Sequence, residues 1–263
     1  MSPFDQVTDW QPASDGTFTA HLGEEWLQGR SIFGGLLAAG CARLAATSFP
    51  DRMLKTIETR FFEPVFPGSI EAKVEVLRAG RSVAHVQVDV WQEGRRCTRA
   101  TAVMAVKRAS QLQIDVAPIP ADDPGPEALV RLPVVPGVTP IFLNFVDMRF
   151  HVGIPFMGGS KAIVDGWCKF EQGAAGLSGI VGLADVWPAP LLATGKGPMP
   201  ASTVHWCLHL FTDAEPDPDQ WYRYQARTIH AEDGMTTFQA WLWAQDGTPI
   251  LWSEQLAVVF DVR

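Results

Sequence analysis

Three polar residues in the C-terminal half could do chemistry together: Asp185, Thr203 and Gln255. They sit in Gly182-Leu-Ala-Asp185, Ser202-Thr203-Val204 and Ser253-Glu254-Gln255-Leu256, each inside an otherwise apolar stretch. A carboxylate, a hydroxyl and an amide can hold one water molecule. Asp185 is the acidic member and can accept a proton from that water, while Thr203 and Gln255 fix its orientation. If strand alternation turns Gln255 inward, its amide needs partners. If alternation turns it outward, it is an ordinary solvated glutamine. The set points to a hydrolase that activates water. A serine triad would need a G-x-S-x-G elbow, and the nearest text, Gly176-Leu177-Ser178-Gly179, lacks it.

Other residues could complete such a site. Gly34-Gly35 opens an Ala- and Leu-rich stretch. A helix starting there exposes backbone N–H groups that can face a developing oxyanion. Close packing of a helix on a sheet explains the same glycines equally well. Without a Lys-Ser/Thr partner they are not a P-loop. Arg30, Arg60, Arg78 and Arg81 offer charge for phosphates, although solvated strand ends explain each one singly. Trp187 lies two residues beyond Asp185 and is expected beside the same pocket, as is Phe33 just before the glycines.

Those residues need elements to position them. Phe18 to about Trp26 begins as a strand, and Leu36–Thr47 has good helix formers, no Pro and a single charge, Arg43. From Lys55 to Lys107 the text alternates with period two, punctuated by Pro67-Gly68, Gly80-Arg81 and Glu93-Gly94. Residues 109–140 are Pro-rich and read as a surface linker. Strand character resumes over 141–172. A small-residue helix candidate, Ala174–Ala193, is interrupted at Trp187-Pro188, and four strand-like stretches follow from Ser202 to Phe260.

The second half therefore repeats the first in order. Asp233-Gly234 and Asp246-Gly247 fall about 153 residues after Gly80-Arg81 and Glu93-Gly94. A long apolar helix beside a twisted antiparallel sheet is buried only if the sheet wraps it, and two such units can continue one sheet. The expected division is an N-terminal unit over 1–108, a linker over 109–140 and a C-terminal unit over 141–263. The same shift carries Gln255 onto Ala102 and Asp185 onto Ile32, so one site per chain is expected.

Composition sets the limits. The chain has 263 residues, 47% of them hydrophobic and 19% charged, enough for a substantial core. A net charge of −8 argues against nucleic-acid binding. Cys41, Cys97, Cys168 and Cys207 have no C-x-x-C spacing, so buried reduced thiols are expected and no metal. No signal-like N-terminus and no stretch of ~20 apolar residues stand out, so a cytoplasmic chain with no membrane span is the expectation.

At the level of motifs, Trp26-Leu-Gln-Gly-Arg-Ser-Ile-Phe33-Gly34-Gly35, Arg60-Phe-Phe-Glu-Pro-Val-Phe-Pro67-Gly68 and Val76-Leu-Arg78-Ala-Gly80-Arg81-Ser82 resemble the acyl-CoA thioesterase II (TesB-like) family. Leu183-Ala-Asp185, Ser202-Thr203-Val204 and Ser253-Glu-Gln255 fall where that family places its water-holding Asp, Thr and Gln. The resemblance implies an α+β double hotdog fold: two helix-wrapped antiparallel sheet units with sheets continuous between them. It implies hydrolysis of acyl-CoA to free acid and CoA, by direct attack of water, without an acyl-enzyme and without a cofactor. On this basis Asp185, Thr203 and Gln255 are the expected catalytic residues. Phe33, Gly34, Gly35, Trp187 and Arg81 are the expected substrate contacts, and fatty acid metabolism is the expected setting. Two alternatives share the fold: an enoyl-CoA hydratase or dehydratase, and a non-catalytic acyl-ligand binder. Exposed sheet edges lead to the expectation of a homodimer or higher homo-oligomer.

Overall fold

A computed structural model describes residues 1–112, 114, 123–174, 176–212, 217 and 219–260. Residues 113 and 115–122 of the expected linker, and residue 175 of the expected second helix, lie outside this set. The chain begins with a short capped helix α1 (Pro3–Val7), β1 (Gln11–Pro12) and β2 (Phe18–Leu22). A small ribbon of β3 (Leu27–Gln28) and β4 (Ser31–Ile32) leads into the helix α2 (Gly34–Ser48). A meander follows: β5 (Met53–Phe61), β6 (Gly68–Ala79), β7 (Val83–Gln92) and β8 (Arg95–Ala105). After the Pro-rich segment come β9 (Val146–Val152), β10 (Ile163–Phe170) and α3 (Gly176–Leu183). A second meander closes the chain: β11 (Ala201–Leu210), β12 (Tyr222–Glu232), β13 (Met235–Ala244) and β14 (Pro249–Val259).

Twelve of these strands form one antiparallel sheet in the order β1-β2-β6-β7-β8-β5-β11-β14-β13-β12-β10-β9. The two meanders meet at β5 and β11, paired from Arg60↔His205 to Thr56↔His209. This is the continuous sheet expected of two helix-wrapped units, a double hotdog. The expected turns all separate the strands they should: Gly80-Arg81 lies between β6 and β7, and Asp246-Gly247 between β13 and β14. At Glu93-Gly94 and Asp233-Gly234 all four residues have positive φ, from 51° to 75°, which suits a tight hairpin twisted like its strands.

The sheet wraps α2, which buries ten of its residues, from Gly35 to Ala45. Its one charge, Arg43, reaches the surface and pairs with Asp9 at 2.7 Å. Helix α2 packs on α3, and the N-terminus ties the two halves together. Phe4 stacks on Phe170 at 4.5 Å and meets Trp26 edge-on at 5.5 Å. Gly182 makes room for that ring, because a Cβ there would lie 2.4 Å from it. No helix among the described residues is long and apolar enough to cross a membrane.

Two expectations need correction. The helix candidate Ala174–Ala193 ends before its expected interruption at Trp187-Pro188. Helix α3 stops at Leu183, and after a bend Pro190–Thr194 forms a 3-10 turn. Pro188 and Pro190 lack the N–H groups a helix needs and restrict the residues before them. The fixed shift that relates the turns also does not extend to the helices, which begin at Gly34 and Gly176. Ile32 is therefore not the counterpart of Asp185. Ala102 does hold up as the counterpart of Gln255: Ala102 pairs with Ile57 as Gln255 pairs with Trp206. Both β5 and β11 carry a bulge at the same point, after Leu54 and after Thr203. Leu54 and Ala102, both buried, thus stand in the first unit where Thr203 and Gln255 stand in the second.

Candidate active site

Gln255 lies in mid-strand on β14, on the face turned toward the helices, and is 3% exposed. Its cross-strand neighbours are Trp206 and Phe238, and neither hydrogen-bonds its amide. The partners come instead from the bulge in β11 and from the chain beyond α3. The bulge re-aims the start of β11, and the Thr203 hydroxyl donates to Gln255 Oε1 at 2.9 Å. Gln255 Nε2 in turn donates to Asp185 Oδ1 at 3.1 Å. The hydroxyl proton fixes the amide: with Oε1 accepting, Nε2 must face the carboxylate, whereas the reverse would set two acceptors together.

Asp185 sits in the bend that ends α3, its own N–H donating to Gly182 O at 3.1 Å. Its carboxylate reaches the first turn of α2, where the Gly35 N–H donates to it. A Cβ on Gly35 would lie 2.9 Å from Asp185 Cβ, and one on Gly34 would lie 3.1 Å from Oδ2. The glycine pair is needed so that a carboxylate can approach the positive end of the helix. Burial pushes the Asp185 carboxyl up to about 7, and the hydrogen bonds from Gln255 and Gly35 hold it from rising further. A carboxyl poised there can both accept and return a proton near neutrality.

The structure brings Asp185, Thr203, Gln255, Gly34 and Gly35 together. It places the other expected site residues elsewhere. Phe33 is fully buried and stacks on Phe142 at 4.1 Å, a core contact. Trp187 is 5% exposed and packs against β9, β10 and β12. It meets Phe150 edge-on at 5.0 Å and donates its indole N–H to Cys168 Sγ at 3.3 Å. Arg81 is exposed in the turn between β6 and β7. That turn adjoins the Met53 end of β5, since Arg52 donates to Gly80 O, whereas the trio lies toward the Phe61 end. Of the other arginines, Arg60 is on the outer face of β5 and pairs with Glu58, which also holds His205 at 3.0 Å.

One neighbour escaped the sequence reading. Tyr224, on β12, is 1% exposed and stacks parallel on Trp187 at 5.1 Å. Burial pushes its ionisation well above the usual range, and the nearby Asp185 carboxylate pushes it further. The signal available was the inward phase of Tyr222, Tyr224 and Ala226 along that strand.

Comparison with known proteins places these features in context. The family description "Acyl-CoA thioesterase C-terminal domain" matches residues 116–259, and "Acyl-CoA thioesterase N-terminal domain" matches residues 22–105. No curated protein matches the chain. A hot dog fold protein of unknown function from Alicyclobacillus acidocaldarius is similar over 100% of both chains, with 22% identity and a TM-score of 0.87. A Thermobifida fusca protein put forward as a thioesterase II is 24% identical over 98% of each chain, with a TM-score of 0.85. An acyl-CoA thioesterase II from Mycobacterium marinum is 14% identical over 97% of each chain, with a TM-score of 0.75. These structural likenesses show a shared fold.

Proposed function

The chain belongs to the acyl-CoA thioesterase family, and from that premise we propose that it hydrolyses acyl-CoA thioesters through a water molecule held by Asp185, Thr203 and Gln255. The observation that carries this reading is the hydrogen-bonded line from Thr203 through Gln255 to Asp185, ending at the start of α2.

A thioester carbonyl is electrophilic and thiolate leaves readily, so the reaction needs an oriented water more than a strong nucleophile. With its proton on Gln255, the Thr203 oxygen still accepts. The second Nε2 proton of Gln255 remains able to donate. A water between these groups and Asp185 is fixed on three sides. As its oxygen bonds to the acyl carbon, its proton passes to Asp185 and the carbonyl electron pair moves onto oxygen. Collapse re-forms the carbonyl and breaks the C–S bond, and the CoA thiolate takes the proton from Asp185. No covalent enzyme intermediate is required. The Gly35 N–H is engaged by Asp185, so Gly34 is the remaining backbone donor of the pair for the carbonyl oxygen.

The test is free-thiol release from acyl-CoA substrates of several chain lengths, run beside enoyl-CoA absorbance. Thiol release supports hydrolysis. Loss of enoyl absorbance without thiol would favour a hydratase, and tight binding without either would favour a ligand carrier. The sheet ends in β1 and β9, and these edges support association of copies, which sedimentation of the intact chain would test.

A further inference from the structure

Beside the trio lie polar groups that the steps above do not use. Trp206 Nε1, Thr59 Oγ1, Thr98 Oγ1 and Ser253 Oγ are buried, and among the described residues none has a hydrogen-bond partner. None of the four residues is more than 1% exposed. The strand register lines them up with Gln255. Trp206, on β11, has Gln255 as its cross-strand neighbour on one side and Thr59 on the other. Thr98, on β8, opposes Phe61, two residues beyond Thr59. Ser253 precedes Gln255 by two residues on β14 and so shares its face. A polar row thus crosses from β14 through β11 and β5 to β8, with opposed side chains about 5 Å apart.

The row adjoins the reacting groups. The Phe61 ring lies 3.5 Å from the point a Gly34 Cβ would occupy, and that point is 3.1 Å from Asp185 Oδ2. Around the row the same face is apolar, with Ile57, Ala100, Leu208 and Leu251 buried. A buried polar group without a partner is costly, and four beside one site call for a partner that arrives with the substrate. Exposure decides which part of the substrate reaches them. Gly34 and Thr203 are partly exposed, whereas Gly35 and Gln255 are buried. CoA carries charged phosphates and stays on the exposed side, so the acyl group is the part directed along the buried row. The indole N–H can only donate, while a threonine hydroxyl can donate or accept. No cation belongs to the row and Asp185 stands beside it, so a second carboxylate is disfavoured there. A neutral oxygen fits.

We propose that the preferred substrates are acyl-CoA thioesters whose acyl group bears a neutral oxygen, a hydroxyl or keto group, near the carbonyl. That oxygen accepts from Trp206 Nε1 and meets the Thr59 hydroxyl, while Thr98 and Ser253 extend the polar lining to either side. This rests on the hydrolytic reading of the Asp185 site. Trp206 is the immediate cross-strand neighbour of Gln255, which places the substituent close to the thioester, at the β carbon rather than far along the chain. An unsubstituted chain leaves the row unpaired. A site built to hydrogen-bond an oxygen discriminates against the analogue that lacks it.

Thiol release from octanoyl-CoA and β-hydroxyoctanoyl-CoA, measured in parallel, tests this. The unaltered protein should favour the hydroxylated substrate by about tenfold or more in kcat/KM. Thr59→Val keeps nearly the same shape and should cut that preference roughly tenfold. Its melting temperature should be equal or higher, because a buried unpaired hydroxyl is removed. Trp206→Phe removes the indole N–H and should cut the preference as well. An unaltered protein without the preference overturns the proposal. So does a Thr59→Val protein that keeps the full preference, or one that loses activity on both substrates equally, as a hydroxyl serving the CoA arm or the fold would. If the unaltered protein releases no thiol from either substrate, the hydrolytic reading falls first and the acyl preference falls with it. If it hydrolyses both alike, only the acyl preference falls.

Discussion

Asp185 and Gly35 approach so closely that a Cβ on Gly35 would sit 2.9 Å from the Asp185 Cβ. The two residues lie in different halves of the chain, and their contact joins the helix start of one unit to the acid of the other. Gly35→Ala should therefore displace Asp185. The same Cβ would also meet the Phe33 ring at 2.4 Å, so some loss of stability is expected, ~1–3 kcal/mol for overpacking. A shift of the base by about 1 Å can reduce turnover ~10²-fold. Steady-state thiol release and thermal melting on the same sample check both effects, and near-normal kcat would show that the contact is not needed.

The pH profile follows from the Asp185 carboxyl, which burial raises to about 7. The base must be ionised to accept the proton of water. Thus kcat/KM should climb through a single midpoint near that value and level off on the alkaline side. Gln255→Leu removes a hydrogen bond that favours the ionised form, so its residual activity should have a higher midpoint. A profile flat from pH 5 to 9 would exclude Asp185 as the titrating base.

Stability should carry the opposite signature. A carboxyl with a folded-state pKa above its unfolded value holds its proton more tightly when folded. Its contribution is fully present below the unfolded value of 3.8 and is lost as pH rises to about 7. Asp185→Asn avoids burying the charge, and its amide oxygen can still accept from Gln255 and Gly35. The variant should melt several degrees above the parent at pH 8, and the gain should vanish toward pH 4. Melting curves at three pH values are sufficient. A variant less stable at pH 8 would show that the carboxylate is not strained there.

The asymmetry between the units has its own test. Ala102 is buried between Ile57 and Val86, its cross-strand partners. Ala102→Gln would copy Gln255 into the first unit, where Leu54 replaces the Thr203 hydroxyl. Without partners the buried amide should cost about 2–4 kcal/mol, read as a lowered urea midpoint, and should confer no added activity. An unchanged midpoint would mean that the first unit can hydrogen-bond a polar residue at that position.

Much of this architecture was legible in the sequence, because period-two strands and paired turn residues report local backbone. The turns Gly80-Arg81 and Asp246-Gly247 lie between successive strands of the meander, as expected. The seam where β5 pairs with β11 joins residues about half a chain apart, and local periodicity alone does not specify it. The trio was legible because polar residues in apolar stretches are conspicuous. Tyr224 was not, since an aromatic in a strand looks like core. Phe33 and Trp187 adjoin the site residues in sequence, and Arg81 offers a charge, but neither property fixes a place in the fold. Trp187 packs among Phe150, Cys168 and Tyr224, and the length of β5 separates Arg81 from the trio.

The most direct measurement of the central claim, that Asp185 activates the attacking water, is thiol release by Asp185→Asn at pH 8 with saturating acyl-CoA. The amide keeps the shape and the hydrogen bonds but cannot take the proton. The expected result is a loss of about 10²–10⁴-fold in kcat with the fold intact. An Asp185→Asn protein that turns over at the parent rate would contradict the claim outright.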